Sequence, residues 1–242
     1  MILGAIPARW GSTRYPGKPL VEIAGRPLVS WVVEAALEAR TIDAVVVVTD
    51  HEEIARAAVV AGGRAVVIGR EAASGTDRIA HLLATDETCA KARIVVNVQG
   101  DEPLLEPSAI DAAVEALESE PGADIATLAR PIRPGESAQD PSVVKVAVSG
   151  AGRALYFSRA PIPHGGASRV HVGLYAYRRS AFDRFVAAPP TALERVERLE
   201  QLRALELGLA ITVVAFDSRS IGVDTPEDVA RVEAVLSRVS ER

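Results

Sequence analysis

The sequence predicts an α/β fold of the Rossmann-like type, in which helices flank a mostly parallel central sheet and a small antiparallel arm is attached. Through the first half of the chain, short runs rich in Val, Ile and Ala alternate with helix-like segments. The Val runs are nearly continuous, which is typical of strands buried on both faces of a parallel sheet. The second half is less regular, and a Gly-rich turn at 150–152 separates two strand-like segments, which indicates antiparallel additions.

The individual elements follow from local patterns, taken in chain order. Apolar residues at helical spacing after Pro27 predict a first helix, and the glycine pair 62–63 ends a second one. An apolar stripe predicts one long helix over 192–207, and a capping box at 225–228 precedes the last helix. The predicted strands are 2–6, 42–48, 64–68, 93–98, 124–129, 143–148, 153–157, 171–178 and 211–216, and the predicted helices are 27–40, 52–61, 79–84, 107–119, 192–207 and a last one from 226.

Composition limits the class of protein. The 242 residues are enough for one large domain, so we expect a single domain over 1–242. Hydrophobic residues make up 48% of the chain and aromatic residues only 4%, so the core must consist mainly of Ala, Val, Leu and Ile. The net charge is −5 with both signs mixed along the chain, which gives no basis for binding nucleic acid.

Cysteine usage and hydropathy indicate the compartment. Cys89 is the only cysteine, so no intrachain disulfide is possible, which suits a reducing compartment. The short apolar run at the start has no basic segment before it, and no apolar stretch reaches the length of a membrane span. We therefore expect a cytoplasmic protein without membrane insertion.

A loop rich in glycine and positive charge follows the first strand. It carries Arg9, Arg14 and Lys18 together with Gly11 and Gly17. Glycine lets a ligand approach the backbone closely, and fixed cations pair with phosphate oxygens. The spacing is not that of a Walker A loop. The loop therefore predicts a polyphosphate site held by side-chain cations and loop amides; the alternative is a solvated surface loop with ordinary charges.

A second candidate lies where a helix begins. Ser74 or Thr76 is placed to cap the helix, with Arg78 in its first turn. The helix dipole disfavours a cation there, so Arg78 is expected to face an anion or a base. The alternative is a capped helix start without a ligand. Because ligands bind beyond the carboxyl ends of parallel strands, the pair Thr49-Asp50 is expected at the same edge as the loop after the first strand.

An acidic pair ends the strand predicted at 93–98. Asp101 and Glu102 stand between Gly100 and Pro103, at the edge where ligands bind. Mg²⁺ takes one or two carboxylates together with substrate phosphates, so the pair predicts a metal site. The alternative is an ordinary turn.

The second half offers polar candidates whose patterns leave two interpretations open. His171 and Tyr175 share a strand face, which suits a sugar-binding wall or cross-strand packing equally. Arg159 is expected either to pair with a carboxylate or to close a hairpin surface. Glu200 and Gln201 flank the apolar stripe of the helix predicted at 192–207, where most charges are simply solvated.

Several stretches, in the same order, resemble the sugar-acid cytidylyltransferases, and within them the CMP-Kdo synthetase family, the 3-deoxy-manno-octulosonate (Kdo) cytidylyltransferases. They run from residue 7 to residue 228, so the resemblance covers nearly the whole chain. The matching stretches are 7–9, 12–14, 16–20, 74–78, 97–103, 154–163, 171–178, 199–203 and 222–228.

The resemblance implies roles for individual residues. The implied catalytic residues are Lys18, Arg9, Asp101 and Asp224, and the implied Mg²⁺ ligands are Asp101 and Asp224. The implied nucleotide-binding residues are Pro7, Ala8, Arg9, Ser12, Arg14, Lys18, Ser74, Gly75, Arg78, Gln99 and Asp101. The implied sugar-binding residues are Gln99, Arg159, His171, Tyr175, Glu200 and Gln201.

The resemblance also implies a fold of the nucleotidyltransferase type and a reaction. CTP and Kdo, a 3-deoxy sugar acid, would give CMP-Kdo and pyrophosphate with Mg²⁺ as cofactor, for lipopolysaccharide or other surface polysaccharide biosynthesis. A homodimer is implied too, with a sugar-binding or dimerisation subregion around 143–178.

One segment departs from the family pattern. Only residues 164–170 stand between Pro163 and His171, where the family usually has a longer insert. This leaves a second hypothesis open, a nucleotidyltransferase for a different sugar acid or a Kdo analogue. A hypothesis of another class is a nucleotide-binding protein without catalytic activity.

Overall fold

The computed structural model describes residues 1–11, 15–69, 72 and 74–240. The described strands are β1 (Ile2–Ala8), β2 (Glu22–Ile23), β3 (Arg26–Pro27), β4 (Ala44–Thr49), β5 (Arg64–Val67), β6 (Ile94–Asn97), β7 (Ile125–Pro131), β8 (Lys145–Val148), β9 (Ala154–Ser158), β10 (Arg169–Arg178) and β11 (Ile211–Ala215). The described α-helices are α1 (Leu28–Glu38), α2 (Glu52–Val60), α3 (Gly75–Thr85), α4 (Pro107–Ser119), α5 (Arg179–Ala187), α6 (Ala192–Glu197), α7 (Gln201–Glu206) and α8 (Pro226–Ser240). Short 3₁₀ helices lie at Lys18–Leu20 and Cys89–Lys91.

Two compact units divide the chain. The first consists of Met1–Asp111 with Arg219–Arg242, and the second of Ala112–Ser218. The single domain expected over 1–242, with its subregion around 143–178, stays a prediction.

The first unit contains a four-stranded parallel sheet. β1 pairs in parallel with β4 and with β6, and β4 pairs in parallel with β5. Val45, Val46, Val47 and Val48 are all buried, as expected for a strand covered on both faces. The predicted buried Val run is therefore confirmed.

Side-chain caps define the starts of α2 and α3 in this unit. The His51 ring accepts a hydrogen bond from the Glu53 backbone N–H at the start of α2. Ser74 and Asp77 form a reciprocal capping box at the start of α3. The cap at Ser74 was one of the two positions predicted, and it determines where the first turn of α3 begins.

The second unit mixes strand directions. β7 pairs in parallel with β11 and antiparallel with β10, while β8 pairs antiparallel with both β9 and β10. β10 is bulged between Val172 and Tyr175, where the register against β7 shifts. The predicted class is confirmed: a Rossmann-like α/β fold with a mostly parallel sheet, flanking helices and a small antiparallel arm.

The helix predicted over 192–207 is wrong in one respect, because it is broken into α6 and α7. Arg198 adopts φ 55° in the left-handed region between them. The carbonyls of Glu197 and Arg198 accept hydrogen bonds from the Arg159 guanidinium. Val196, an apolar residue within the predicted helix, is 81% exposed. Contacts distant in sequence therefore override the local helical pattern.

The sequence pattern also missed α5, which buries Phe182 and Phe185. No helix in the described part of the chain is long and apolar enough to cross a membrane.

Candidate active site

Three charged side chains meet in the first unit. The Lys18 ammonium Nζ lies 2.7 Å from Asp101 Oδ2 and 3.1 Å from Asp224 Oδ1. The Lys18 side chain is only 12% exposed, whereas those of Asp101 and Asp224 are 34% and 40% exposed. Residues more than 200 positions apart are thus gathered on one cation. We call Lys18, Asp101 and Asp224 the charged cluster.

Burial alone would lower the pKa of Lys18. The two neighbouring carboxylates, Asp101 first and Asp224 second, outweigh it and raise the pKa of Lys18 above its ordinary value. The lysine is therefore a permanent cation at neutral pH.

Backbone contacts position Lys18 within the loop. Gly17 lies in the left-handed region at φ 72°, and its N–H donates to the carbonyl of Trp10 at 3.0 Å. A Cβ at Gly17 would also lie 3.3 Å from the Trp10 ring, so the loop closes tightly at this point. Lys18 then begins the short 3₁₀ helix with Pro19, so no α-helix runs directly out of the loop.

Separate contacts hold the backbones of Asp101 and Asp224 in place. The Val223 N–H donates to the Asp101 carbonyl at 2.9 Å, which joins the segment before α8 to the loop after β6. The Asp228 carboxylate accepts from the backbone N–H groups of Asp224 and Thr225, each at 3.0 Å. Burial alone would raise the pKa of Asp228, but these donors lower it. The predicted cap at 225–228 therefore also positions Asp224.

Close backbone packing fixes the loop that carries Asp101. A Cβ at Gly100 would lie 2.7 Å from the Pro7 carbonyl oxygen, a distance that side chains do not tolerate. A Cβ at Gly75 would lie 3.0 Å from Pro7 Cγ. Glycine is thus required where the loop after β6 approaches the end of β1, and the start of α3 packs tightly against the same residue.

Asp50 supplies the anion expected beside Arg78. Its Oδ2 lies 3.0 Å from Arg78 Nη2, and the pair is buried, with the Arg78 side chain 4% exposed. Asp50 Oδ1 also accepts from the Trp10 backbone N–H at 2.8 Å. Arg78 Nη1 is buried without a hydrogen-bond partner among the described residues. The expected location of Thr49-Asp50 beside the loop is confirmed, and Asp50 is a candidate site residue that the sequence did not assign.

The remaining residues predicted to bind the nucleotide differ in burial, and two of them are not described by the structure. Ala8 is buried at the end of β1, Arg9 is exposed and Gln99 is half-buried. Ser12 and Arg14 lie outside the described residues. The Trp10 ring, which no sequence motif singled out, stacks on the His51 ring with centroids 4.2 Å apart.

In the second unit, His171 and Tyr175 share a face, as predicted. Their ring centroids lie 5.2 Å apart, and Tyr175 and Tyr177 follow at 5.8 Å. Phe157 meets His171 edge-on at 5.1 Å. Burial lowers the pKa of His171 to about 3 and raises that of Tyr177, to which the Glu200 carboxylate contributes. We call Phe157, His171, Tyr175 and Tyr177 the aromatic row.

The Arg159 guanidinium contacts backbone carbonyls. Its nitrogens donate to the carbonyls of Glu197 at 2.9 Å, Pro141 at 2.8 Å and Arg198 at 3.3 Å. The Glu197 carboxylate accepts from Ser158 Oγ and from the Arg159 N–H. Among the described residues, the Arg159 guanidinium thus contacts carbonyls and no carboxylate, so the expected side-chain pair with a carboxylate is not formed; the side chain secures the break between α6 and α7.

Glu200 and Gln201 lie at the start of α7. Glu200 is the N-cap residue and is half-buried, and Gln201 is 6% exposed. Gln201 is therefore no solvated face residue. Within the described residues, no group of three or more His, Cys, Asp and Glu side chains is placed to hold a metal ion.

Comparisons with known proteins assign the class. The chain matches the family model described as cytidylyltransferase over residues 3–211. A solved structure of CMP:2-keto-3-deoxy-manno-octonic acid synthetase complexed with CTP superposes with a TM-score of 0.90 at 37% identity and covers 98% of both chains. The fold and the family match define a nucleotidyltransferase.

Curated relatives narrow this further. The 3-deoxy-manno-octulosonate cytidylyltransferase of Anaeromyxobacter dehalogenans is 51% identical over 238 residues, with 96% of each chain covered. That of Bdellovibrio bacteriovorus is 45% identical over 246 residues, with 98% of each chain covered. The chain belongs to the cytidylyltransferase family, within the group of 3-deoxy-manno-octulosonate cytidylyltransferases.

These coverages bear on the short segment 164–170. The match to the Anaeromyxobacter relative spans 238 positions and 96% of both chains. That leaves no room for a long insert inside the relative. A relative with this name therefore has a similarly short chain.

Proposed function

We propose that the chain transfers CMP from CTP to the anomeric hydroxyl of Kdo and releases pyrophosphate, for lipopolysaccharide or other surface polysaccharide biosynthesis. The observation that carries the proposal is the charged cluster, where Lys18 lies within 3.1 Å of both Asp101 and Asp224. The relatives that bear this activity in their names match the chain along nearly its whole length.

In this reaction the anomeric oxygen forms a bond to the α-phosphorus of CTP. The bond from that phosphorus to the bridging oxygen breaks, pyrophosphate leaves with its electron pair, and the hydroxyl proton is released. Such a transfer depends on positioning and on neutralising negative charge more than on covalent catalysis. Lys18, with Arg9 and Arg14, would hold the triphosphate and the departing pyrophosphate.

The charged cluster also fits Mg²⁺, the cofactor proposed here. Two carboxylates already reach a single cation, and Mg²⁺ prefers carboxylate oxygens supplemented by phosphate oxygens and water. A third acidic ligand is therefore not required. Asp101 and Asp224 would hold the ion, which when bound neutralises phosphate charge and lowers the pKa of a nearby hydroxyl.

The sugar side of the proposal rests on the resemblance. Its residues would be Gln99, Arg159, His171, Tyr175, Glu200 and Gln201. Arg159 already donates to three carbonyls, so we expect it to shape the site more than to bind a carboxylate directly. A cytoplasmic homodimer completes the proposal, and light scattering on the purified chain tests the dimer.

Pyrophosphate release tests the reaction. The assay combines CTP, Mg²⁺ and Kdo, with parallel arms that replace CTP by ATP, GTP or UTP, replace Kdo by sialic acid, or omit Mg²⁺. We expect pyrophosphate release only in the arm that contains CTP, Kdo and Mg²⁺ together. Pyrophosphate release only with another acid would mean that this acid, and not Kdo, is the substrate of the same mechanism. CTP binding without pyrophosphate release in any arm would favour a non-catalytic binding protein.

A further inference from the structure

A buried threonine contacts the His171 ring in the second unit. Thr127 is fully buried in β7, and its Oγ1 lies 2.9 Å from His171 Nε2. The same oxygen lies 2.7 Å from the Leu174 carbonyl and 3.3 Å from the Val172 carbonyl, inside the bulge of β10. One hydroxyl thus contacts the imidazole and the backbone of the bulge together.

Counting protons determines the tautomer of the ring. A hydroxyl carries one proton, and an oxygen 2.7 Å from a carbonyl oxygen must place that proton between the two. The Thr127 oxygen is then an acceptor toward His171, so Nε2 must carry the donated proton. Burial, which lowers the pKa of His171, keeps the ring neutral, so Nδ1 carries no proton.

Uncharged groups make the ring and hydrogen-bond contacts of the His171 imidazole. In the described part of the chain, the His171 ring meets the rings of Phe157 and Tyr175 and the Thr127 hydroxyl. Burial is the cause of its lowered pKa, to which no carboxylate or cation of the described residues contributes. His171 is nevertheless partly exposed, so a ligand has access to it.

We infer that Thr127 is a positioning residue that holds His171 as the neutral Nε2–H tautomer, so that Nδ1 serves as a hydrogen-bond acceptor for a hydroxyl group of the sugar acid. A neutral ring with an acceptor nitrogen does not pair with a carboxylate, so His171 reads a hydroxyl and not the acid group. As far as the ligand is concerned, this inference rests on the proposed function.

The tautomer is tested without any substrate. Long-range nitrogen–proton NMR correlations on the intact protein at neutral pH distinguish the two ring nitrogens, and the His171→Gln variant assigns the signals among the four histidines. We expect a protonated Nε2 and an unprotonated Nδ1. An Nδ1–H tautomer or a charged ring would overturn the inference, whichever sugar acid is the substrate.

Two variants at Thr127 test the positioning role. Thr127→Val keeps the shape and removes the hydroxyl, and Thr127→Ser restores it. We expect the valine variant to raise KM for Kdo about tenfold and to mix the His171 tautomers, with KM for CTP unchanged. The serine variant should restore both readouts. An unchanged tautomer and an unchanged KM for Kdo in a folded valine variant would contradict the role.

Analogues of the sugar acid test what His171 reads. In the wild type, one monodeoxy analogue of Kdo should bind about tenfold more weakly than Kdo. In the His171→Phe variant, the analogue that lacks this hydroxyl should bind no more weakly than Kdo does. If His171→Phe instead removes the difference in binding between Kdo and an analogue whose carboxylate is an amide, His171 contacts the acid group and the inference is wrong. If Kdo itself is not bound, the sugar assignment fails and the NMR result still decides the tautomer.

Discussion

The charged cluster and the aromatic row solve opposite electrostatic problems. Lys18 is held between two partly exposed carboxylates, which raise its pKa. His171 is held by a hydroxyl and aromatic rings, and burial lowers its pKa. The first arrangement suits a highly charged triphosphate, and the second suits uncharged hydroxyl groups, which are recognised through directional hydrogen bonds. Substitutions that remove charge should therefore affect the first strongly and the second little.

Asp101→Asn is expected to have the largest effect. It removes one of the two charges facing Lys18 and one proposed Mg²⁺ ligand, so kcat with CTP and Kdo should fall about a thousandfold. Pyrophosphate release measures the loss, and circular dichroism should show an unchanged fold. Asp183→Asn, which removes the carboxylate of an exposed pair with Arg179, is the matched control and should keep full activity.

Gly100→Ala should follow with a loss of about a hundredfold in kcat/KM, because the added Cβ meets the Pro7 carbonyl and displaces the Asp101 loop. Gly150→Ala is its control, since the space around Gly150 is open. Steady-state kinetics and thermal unfolding of both variants separate displacement from misfolding. Equal activity of the two variants would show that the loop tolerates the shift.

Asp50→Asn compares two buried ion pairs. Asp50 pairs with Arg78 and Glu194 pairs with Arg203, and all four side chains are at most 10% exposed. Breaking either pair should cost about 3 kcal/mol of unfolding free energy, measured by urea denaturation. Only Asp50→Asn should also raise KM for CTP, about tenfold, because Asp50 orients Arg78 and the Trp10 N–H. A similar rise of KM for CTP in Glu194→Gln would show that the effect of Asp50→Asn comes from lost stability and not from the nucleotide site.

The pH dependence of stability should show no effect of His171 at neutral pH and should separate wild type from variant only in acid. The folded pKa of His171, about 3, lies below its ordinary value of 6.5, so below pH 6.5 the unfolded state binds a proton that the folded state does not. The contribution of the neutral ring is therefore complete above pH 6.5 and is lost as the pH falls toward 3. His171→Gln should show a shallower loss of urea stability between pH 6.5 and 4 than the wild type. Parallel curves would contradict a ring that stays neutral in the folded state.

The opposite sign holds for Lys18. Its folded pKa is raised above 10.5, so its stabilising contribution is complete below pH 10.5 and is lost only as the pH rises through the folded pKa. Across the acid range, the Lys18 ammonium itself should therefore leave the stability curve unchanged.

The sequence was sufficient where a motif ends a strand or starts a helix. Lys18, Asp101 and the cap at 225–228 follow from glycine, proline and charge at such boundaries, and the structure brings the motifs together. It was insufficient where contacts distant in sequence decide. The break at Arg198 depends on Arg159, and the tautomer of His171 depends on Thr127, 44 residues away in a paired strand. Neither contact leaves a local pattern.

The most direct test of the proposed chemistry is phosphorus NMR of CTP, Mg²⁺ and Kdo incubated with the wild type and with Asp101→Asn. The wild type should form CMP-Kdo and pyrophosphate in equal amounts, and the variant should form neither at a comparable rate. Equal product formation by both proteins would contradict the role of the charged cluster, and absence of product from the wild type would contradict the transfer to Kdo.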